Sequence, residues 1–225
     1  MTDGSSTQTL GARNQPFSFE ELLSPDAGAW DASSEVVISL TPTPIERQPS
    51  AYVQAVWRDR PRGDVSEVKV RAVSNDDSLV LRLDWAAAEP HRSINDINVY
   101  ADGCAVLFPA NGETADLETM GSPEQPVAAW HWRAGTEQPF SVTATGIGTV
   151  ERMVDHPLRV SARWGDGRWQ VVLGSPLRSG GLELRRGMTL PIAFAVWCGA
   201  ASDRAGLKSH SPQFHQLVLH QGDPT

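Results

Sequence analysis

Cysteine is nearly absent: the 225 residues contain only Cys104 and Cys198. Two thiols are too few for a disulfide scaffold, and no CxxC, CxxCH or Cys/His pairing is present. Thioredoxin-type chemistry, iron–sulfur ligation and covalent c-type haem attachment are therefore excluded. A single Cys104–Cys198 disulfide is compatible with the count, and nothing in the sequence supports it. No stretch approaches the ~18 consecutive apolar residues of a membrane-spanning helix. Positive charge is short as well, 19 basic against 27 acidic side chains for a net −8. Non-specific nucleic-acid binding rests on a positive surface and is excluded with it. Catalytic templates are missing too: there is no GxSxG, no GxxxxGK[ST], no HExxH and no GxGxxG after a strand.

Two further scarcities direct attention. Only two tyrosines accompany eight tryptophans, so the aromatic content lies mostly in large indoles. Only Lys69 and Lys208 interrupt an otherwise all-arginine set of cations. Arginine is never deprotonated in proteins, whereas a buried lysine can be, so each lysine merits inspection.

What is present is a β pattern. Apolar runs recur at Val36–Leu40, Val65–Val73, Leu79–Trp85, Cys104–Phe108, Val127–Trp132, Phe140–Thr145, Leu158–Trp164, Arg168–Leu173, Leu190–Trp197 and Phe214–His220, with Tyr52–Trp57 a weaker strand candidate. Alternation and turn signals every 8–12 residues predict an all-β, antiparallel β-sandwich with a few short helical segments in loops. Ser74–Ser78 and Gly165-Asp166-Gly167 read as hairpin turns. Phe17–Leu23 reads as one helical turn. Residues 1–15 read as a flexible N-terminal tail and 16–221 as one domain. The Ser/Thr/Gly-rich start has no apolar core and no twin-arginine pair, so the chain is expected to stay in the cytoplasm or to leave bound to a signal-bearing partner.

Two long loops, 110–126 and 198–213, are where function is expected, because long loops in compact domains are usually functional or disordered. The first holds Met120, an apolar side chain in polar surroundings. The second leaves an apolar strand, passes Gly199 and Gly206 and delivers Lys208. On composition alone Lys208 reads as a surface lysine and Met120 as a methionine tucked onto the sandwich. His210 and His215 lie five apart across a proline, a weak metal signal.

Four groups of residues carry a resemblance: Asp102-Gly103 with Phe108-Pro109; Met120-Gly121 with Pro126-Val127 and Trp130-His131-Trp132; Ile192–Trp197 with Gly199; and Arg204–Ser209 with Phe214. In this order they are similar to the haem-binding gamma subunits of the ethylbenzene dehydrogenase, dimethyl sulfide dehydrogenase, selenate reductase and chlorate reductase family, over about residues 15–220. The resemblance implies a sandwich holding one non-covalent haem b between loops at one end. It implies Met120 and Lys208 as axial ligands to the iron, with His210 the alternative and His131 a third candidate. A thioether is a soft ligand that raises the haem potential. A lysine ligates only as the neutral amine, which burial favours. The family implies a molybdenum-containing alpha subunit and an iron–sulfur beta subunit as partners in a heterotrimer, a soluble electron carrier, and work in the periplasm. The competing expectation is a haem-free β-sandwich binding module, for instance for carbohydrate, with tryptophans as stacking surfaces. Against it, Trp85, Trp132 and Trp197 fall in strands that read as core.

Overall fold

The computed structural model describes residues 6–93, 99–111, 115–179 and 182–221. Its strands are β1 (Thr9–Asn14), β2 (Val36–Ser39), β3 (Thr41–Pro42), β4 (Glu67–Ser74), β5 (Ser78–Ala86), β6 (Gly103–Pro109), β7 (Val127–Arg133), β8 (Phe140–Ala144) and β9 (Glu151–Arg152), followed by β10 (Arg159–Gly165), β11 (Arg168–Pro176), β12 (Arg178–Ser179), β13 (Leu182–Glu183), β14 (Thr189–Trp197), β15 (Ser209–His210) and β16 (His215–Leu219). Two short helices, α1 (Phe19–Leu22) and α2 (Ala51–Trp57), lie in the connections.

The main hydrogen-bonded path runs β10-β11-β5-β4-β1-β16-β14-β6-β7-β8-β9. It folds into two layers because β1 changes partner midway. Thr9–Ala12 pair with β16 and Arg13–Asn14 with β4, both in parallel. The β5–β4 half and the β14–β7 half then face each other. Val68, Val70, Leu81, Leu83 and Val171 meet Val106, Phe108, Ile192 and Phe194 in one buried cluster. Trp132 on β7 touches Trp85 on β5 and Trp169 on β11, at centroid distances of 6.4 and 5.0 Å, which pins the layers together. Aromatic pairs of this edge-on kind add about 1 kcal/mol beyond their burial.

Each expected apolar run except one is a strand. The Asp166-Gly167 turn adopts the positive φ angles, 51° and 70°, that a tight hairpin needs. Tyr52–Trp57 is not a strand but lies in α2. Ser50 caps it by accepting the Val53 N–H, and Val53, Val56 and Trp57 face Ile45 and Leu207 at helical spacing. The tail expectation is also corrected: residues 9–14 are β1, with Leu10 and Ala12 fully buried. Composition misled because only those two side chains enter the core, while backbone pairing supplies the rest. The sandwich is thus antiparallel except at β1.

The outer face of the β5–β4 layer is closed by α1 and its neighbours, Leu22, Leu23 and Trp30 packing on Val73, Val80 and Val172. A capping box of Ser18 and Glu21 starts α1. The outer face of the other layer is closed differently, by the two long loops.

Candidate functional site

Across that outer face the register sets one row of side chains: His210 opposite Ala195, Ala195 opposite Ala105, Ala105 opposite His131, and His131 opposite Phe140. A second row contains Ala193, Leu107, Ala129 and Val142. Four alanines in the middle make a low floor. The histidines stand at its sides, three strand spacings or about 14 Å apart. Sequence reading passed over these alanines because an alternating strand shows only which residues share a face, not which strands adjoin.

The loop from β6 to β7 brings Met120 over this floor, where it packs with Leu117, Phe140, Trp197 and Phe214. Asp116 sets the turn, its carboxylate accepting the Glu118 and Thr119 N–H groups at 2.8 and 3.3 Å. Met120 itself is left-handed, φ 61°. That conformation costs a side-chain-bearing residue about 1–2 kcal/mol. Gly121 follows at φ 80°, where a Cβ would lie 2.5 Å from the Gln125 carbonyl oxygen.

The loop after β14 brings Lys208. Its start is tied down by Asp102, whose carboxylate accepts the N–H of Gly199, the N–H of His91 and the Trp169 indole N–H, each at 2.8 Å. Asp203 caps the Cys198 N–H at 3.0 Å, and burial lifts its pKa to about 6. Arg204 and Leu207 close a tight turn by exchanging backbone bonds. Thr43 holds the Lys208 carbonyl with its N–H at 2.9 Å and its hydroxyl at 3.2 Å.

Lys208 is 5 % exposed. Its Nζ lies 3.6 Å from the Met120 Sδ and 5.8 Å from the Trp197 ring centroid. No ion pair of its ammonium occurs among the described residues. Burial lowers its pKa to about 8 against a smaller opposing pull from Asp203. Lys69, by contrast, pairs with Glu35 at 3.1 Å on the surface.

His210 reaches the same floor, two residues beyond Lys208. Its Nδ1 lies 2.7 Å from the Ser211 carbonyl oxygen, and its buried Nε2 has no hydrogen-bond partner. His131 stacks on Phe140 at 5.7 Å and meets Trp197 edge-on at 5.1 Å. Burial drives its pKa down to about 4, with the charges of Arg133, Arg152 and Lys208 adding to the effect. The structure therefore gathers Met120, Lys208, His210 and His131 on one face. It leaves His215 elsewhere, its Nδ1 accepting the Gln8 N–H at the start of β1. Cys104 and Cys198 are free thiols. The two loops meet over the outer face of a layer, where the sequence places the site at one end of the sandwich.

Among the described residues no group of three His, Cys, Asp or Glu side chains could hold a metal ion. The donors the site offers are an amine, a thioether and an imidazole, which suit an iron whose equatorial positions are filled by a macrocycle. The orphaned His210 Nε2 and the low alanine floor fit such a flat group.

The architecture is a two-layered β-sandwich with two long loops lying over an alanine-floored outer face. The chain belongs to the ethylbenzene dehydrogenase family, whose profile matches residues 27–159. It is 38 % identical over 155 residues to the chlorate reductase subunit gamma of Ideonella dechloratans, covering 67 % of this chain and 64 % of the relative. It is 29 % identical over 195 residues to a Haloferax mediterranei protein provisionally named a respiratory nitrate reductase heme subunit, covering 85 % and 66 %. It is 26 % identical over 170 residues to the dimethylsulfide dehydrogenase subunit gamma of Rhodovulum sulfidophilum, covering 71 % and 63 %. The chain thus spans slightly less than two thirds of each relative's length. Among solved structures it resembles a family 9 carbohydrate-binding module of Caldicellulosiruptor kristjanssonii bound to cellotriose, with TM-score 0.51, 7 % identity and 96 % and 95 % of the two chains covered. A Bacteroides uniformis protein provisionally described as carbohydrate-binding gives TM-score 0.52 at 10 % identity, covering 94 % and 99 %. At such identities the likeness concerns the fold alone.

Proposed function

We propose that this chain is a cytochrome subunit that binds one non-covalent haem b and passes electrons within a molybdenum-dependent oxidoreductase complex. The observation that carries the reading is the approach of Lys208 Nζ to Met120 Sδ over the alanine floor. Met120 and Lys208 would hold the haem iron, with His210 as the alternative to Lys208. When bound, the haem supplies one-electron chemistry. The residues of this chain do the rest. Burial makes Lys208 ready to lose its proton and serve as a neutral amine. Met120 contributes a soft sulfur that favours the reduced metal. Phe140, Trp197 and Phe214 wall the site against water. Two side-chain ligands leave no position for substrate, which suits electron transfer.

By the same reading the partners are a molybdenum-containing alpha subunit, an iron–sulfur beta subunit and a soluble electron carrier, and the location is the periplasm. A haem subunit among the relatives and the family membership support this assembly. No helix among the described residues is long and apolar enough to cross a membrane.

The test is reconstitution of the purified chain with haem. The expected result is a stoichiometric Soret band whose pigment is extracted by acidified solvent. A chain that stays colourless and instead binds cello-oligosaccharides overturns the proposal. The tryptophans speak against that outcome: six of the eight are buried and Trp164 and Trp197 are half-buried, so none offers an open stacking face.

A further inference from the structure

The floor between His210 and His131 has two electrically different ends. At the His210 end Asp116 and Glu118 place negative charge beside Lys208, and Arg47 pairs with Glu118. At the His131 end Arg133 and Arg152 place positive charge. The two arginines are not equivalent. Arg152 is exposed and lies over the Phe140 ring at 4.0 Å. Arg133 is half-buried, and among the described residues its guanidinium has no hydrogen bond, ion pair or ring contact.

Strand alternation fixes the face of Arg133. Trp130, Trp132 and Ala134 belong to the core between the layers. Val127 and Ala129 belong to the floor. Arg133 continues the floor series, two residues past His131. Across the sheet its partner is Gly103, and Gly103 in turn pairs with Trp197. With no side chain between them, Arg133 and Trp197 face each other across a gap of two strand spacings, about 10 Å.

We propose that Arg133 anchors the carboxylate side chains of the bound haem, so that they lie at the β7 end of the floor, away from Asp116 and Glu118. The proposal rests on the haem-binding reading above and names the orientation of the group within that site. A half-buried cation without a partner is costly unless an anion completes it. A guanidinium offers carboxylates a paired, charge-assisted bond that neither a neutral histidine nor a lysine supplies in the same way. The other cations around the site are engaged. Arg47 pairs with Glu118 at 3.1 Å, and Arg204 lies over the Trp57 and Tyr100 rings.

The experiment titrates the full-length apo chain with haem and with haem dimethyl ester, in which both carboxylates are blocked, and follows the Soret band. The wild-type chain should bind haem at least tenfold more tightly than the ester. Arg133→Ala should lose that preference and bind both as weakly as the wild type binds the ester. Arg133→Lys should recover part of it. Equal affinity of the wild-type chain for haem and ester overturns the anchor without any variant. An ester penalty that persists undiminished in Arg133→Ala overturns it as well. A wild-type chain that takes up haem and fails these comparisons leaves the cytochrome reading standing. A wild-type chain that takes up neither form overturns both.

Discussion

Lys208 and Met120 stand 88 positions apart in the sequence, and their side-chain ends meet at 3.6 Å. The contact pairs a potential cation with a sulfur that is only a weak acceptor. As a structural device it is poor, since a buried ammonium wants oxygen partners. As a pair of donors facing one another it fits the proposed ligation. The two residues also have different local costs, which separate variants expose.

Lys208→Met should stabilise the apo chain at pH 7 by about 1–3 kcal/mol while abolishing low-spin haem binding. Folding lowers the lysine pKa to about 8 from 10.5, so the native state disfavours the charged form. Below about pH 8 both states are protonated and the penalty is full. As pH rises from about 8 to about 10.5 the unfolded chain holds the extra proton, so stability rises and the penalty disappears. Urea midpoints of both proteins between pH 7 and 10 check this. A gap that does not narrow with pH contradicts it.

Met120→Gly and Met120→Ala both remove the thioether, so their difference reads the backbone alone. At φ 61° the glycine variant should be the more stable by about 1 kcal/mol. Both should lower the haem potential relative to the wild type and open the iron to carbon monoxide. Thermal melts of the apo forms and redox titration of the reconstituted ones measure the two effects. If Ala proves the more stable, the left-handed turn is not retained in solution.

His131 and Asp203 should produce opposite pH dependence over nearly the same interval. The native pKa of His131 is about 4, below its ordinary 6.5, so this group makes stability rise with pH from about 4 to about 6.5. The native pKa of Asp203 is about 6, above its ordinary 3.8, so this group makes stability fall from about pH 4 to about 6. Relative to the wild type, His131→Phe should tilt the stability profile downward across this range and Asp203→Asn should tilt it upward. Chemical denaturation at pH 4.5, 5.25 and 6 reads the tilts. Parallel profiles for all three proteins contradict the assignment.

Asp102→Asn should cost about 3 kcal/mol and loosen haem binding, although Asp102 touches neither Met120 nor Lys208. The carboxylate accepts three N–H groups, and an amide would turn a donor toward at least one of them. The bond to Gly199 matters most for the site, because Gly199 begins the turn that ends at Lys208. A Cβ at 199 would sit 2.0 Å from the Tyr100 carbonyl oxygen, so the chain cannot relax there. Faster haem loss to apomyoglobin is the expected readout, and an unchanged rate would detach Asp102 from the site.

Much of this was legible in the sequence because strands announce themselves locally. Leu79, Leu81, Leu83 and Trp85 alternate, and their strand lies where they place it. Lys208 stood out through the scarcity of lysine, and Met120 through an apolar side chain in a polar loop. Arrangement across strands was not legible. Nothing local says that Ala105 lies between Ala195 and His131, so the floor was invisible. Nothing in Thr9–Asn14 announces a strand either, since its pairing partners lie at 73–74 and 216–219. Arg133 is not legible for the same reason: its guanidinium is distinguished by having no partner among the described residues, and that is a property of the assembled face.

The parallel pairing of β1 with β16 also bears on how the protein is made. Residues 9–12 can take their places only when 216–219 are available, and Gln8 binds His215 across 207 positions. Contacts of such range form late and fold slowly. Residues through β16 must therefore be synthesised before the seam between the layers closes, and the Lys208 loop emerges only shortly before it. A chain cut short before β16 would be left with an open edge on β14, the kind of surface that recruits strands from other molecules.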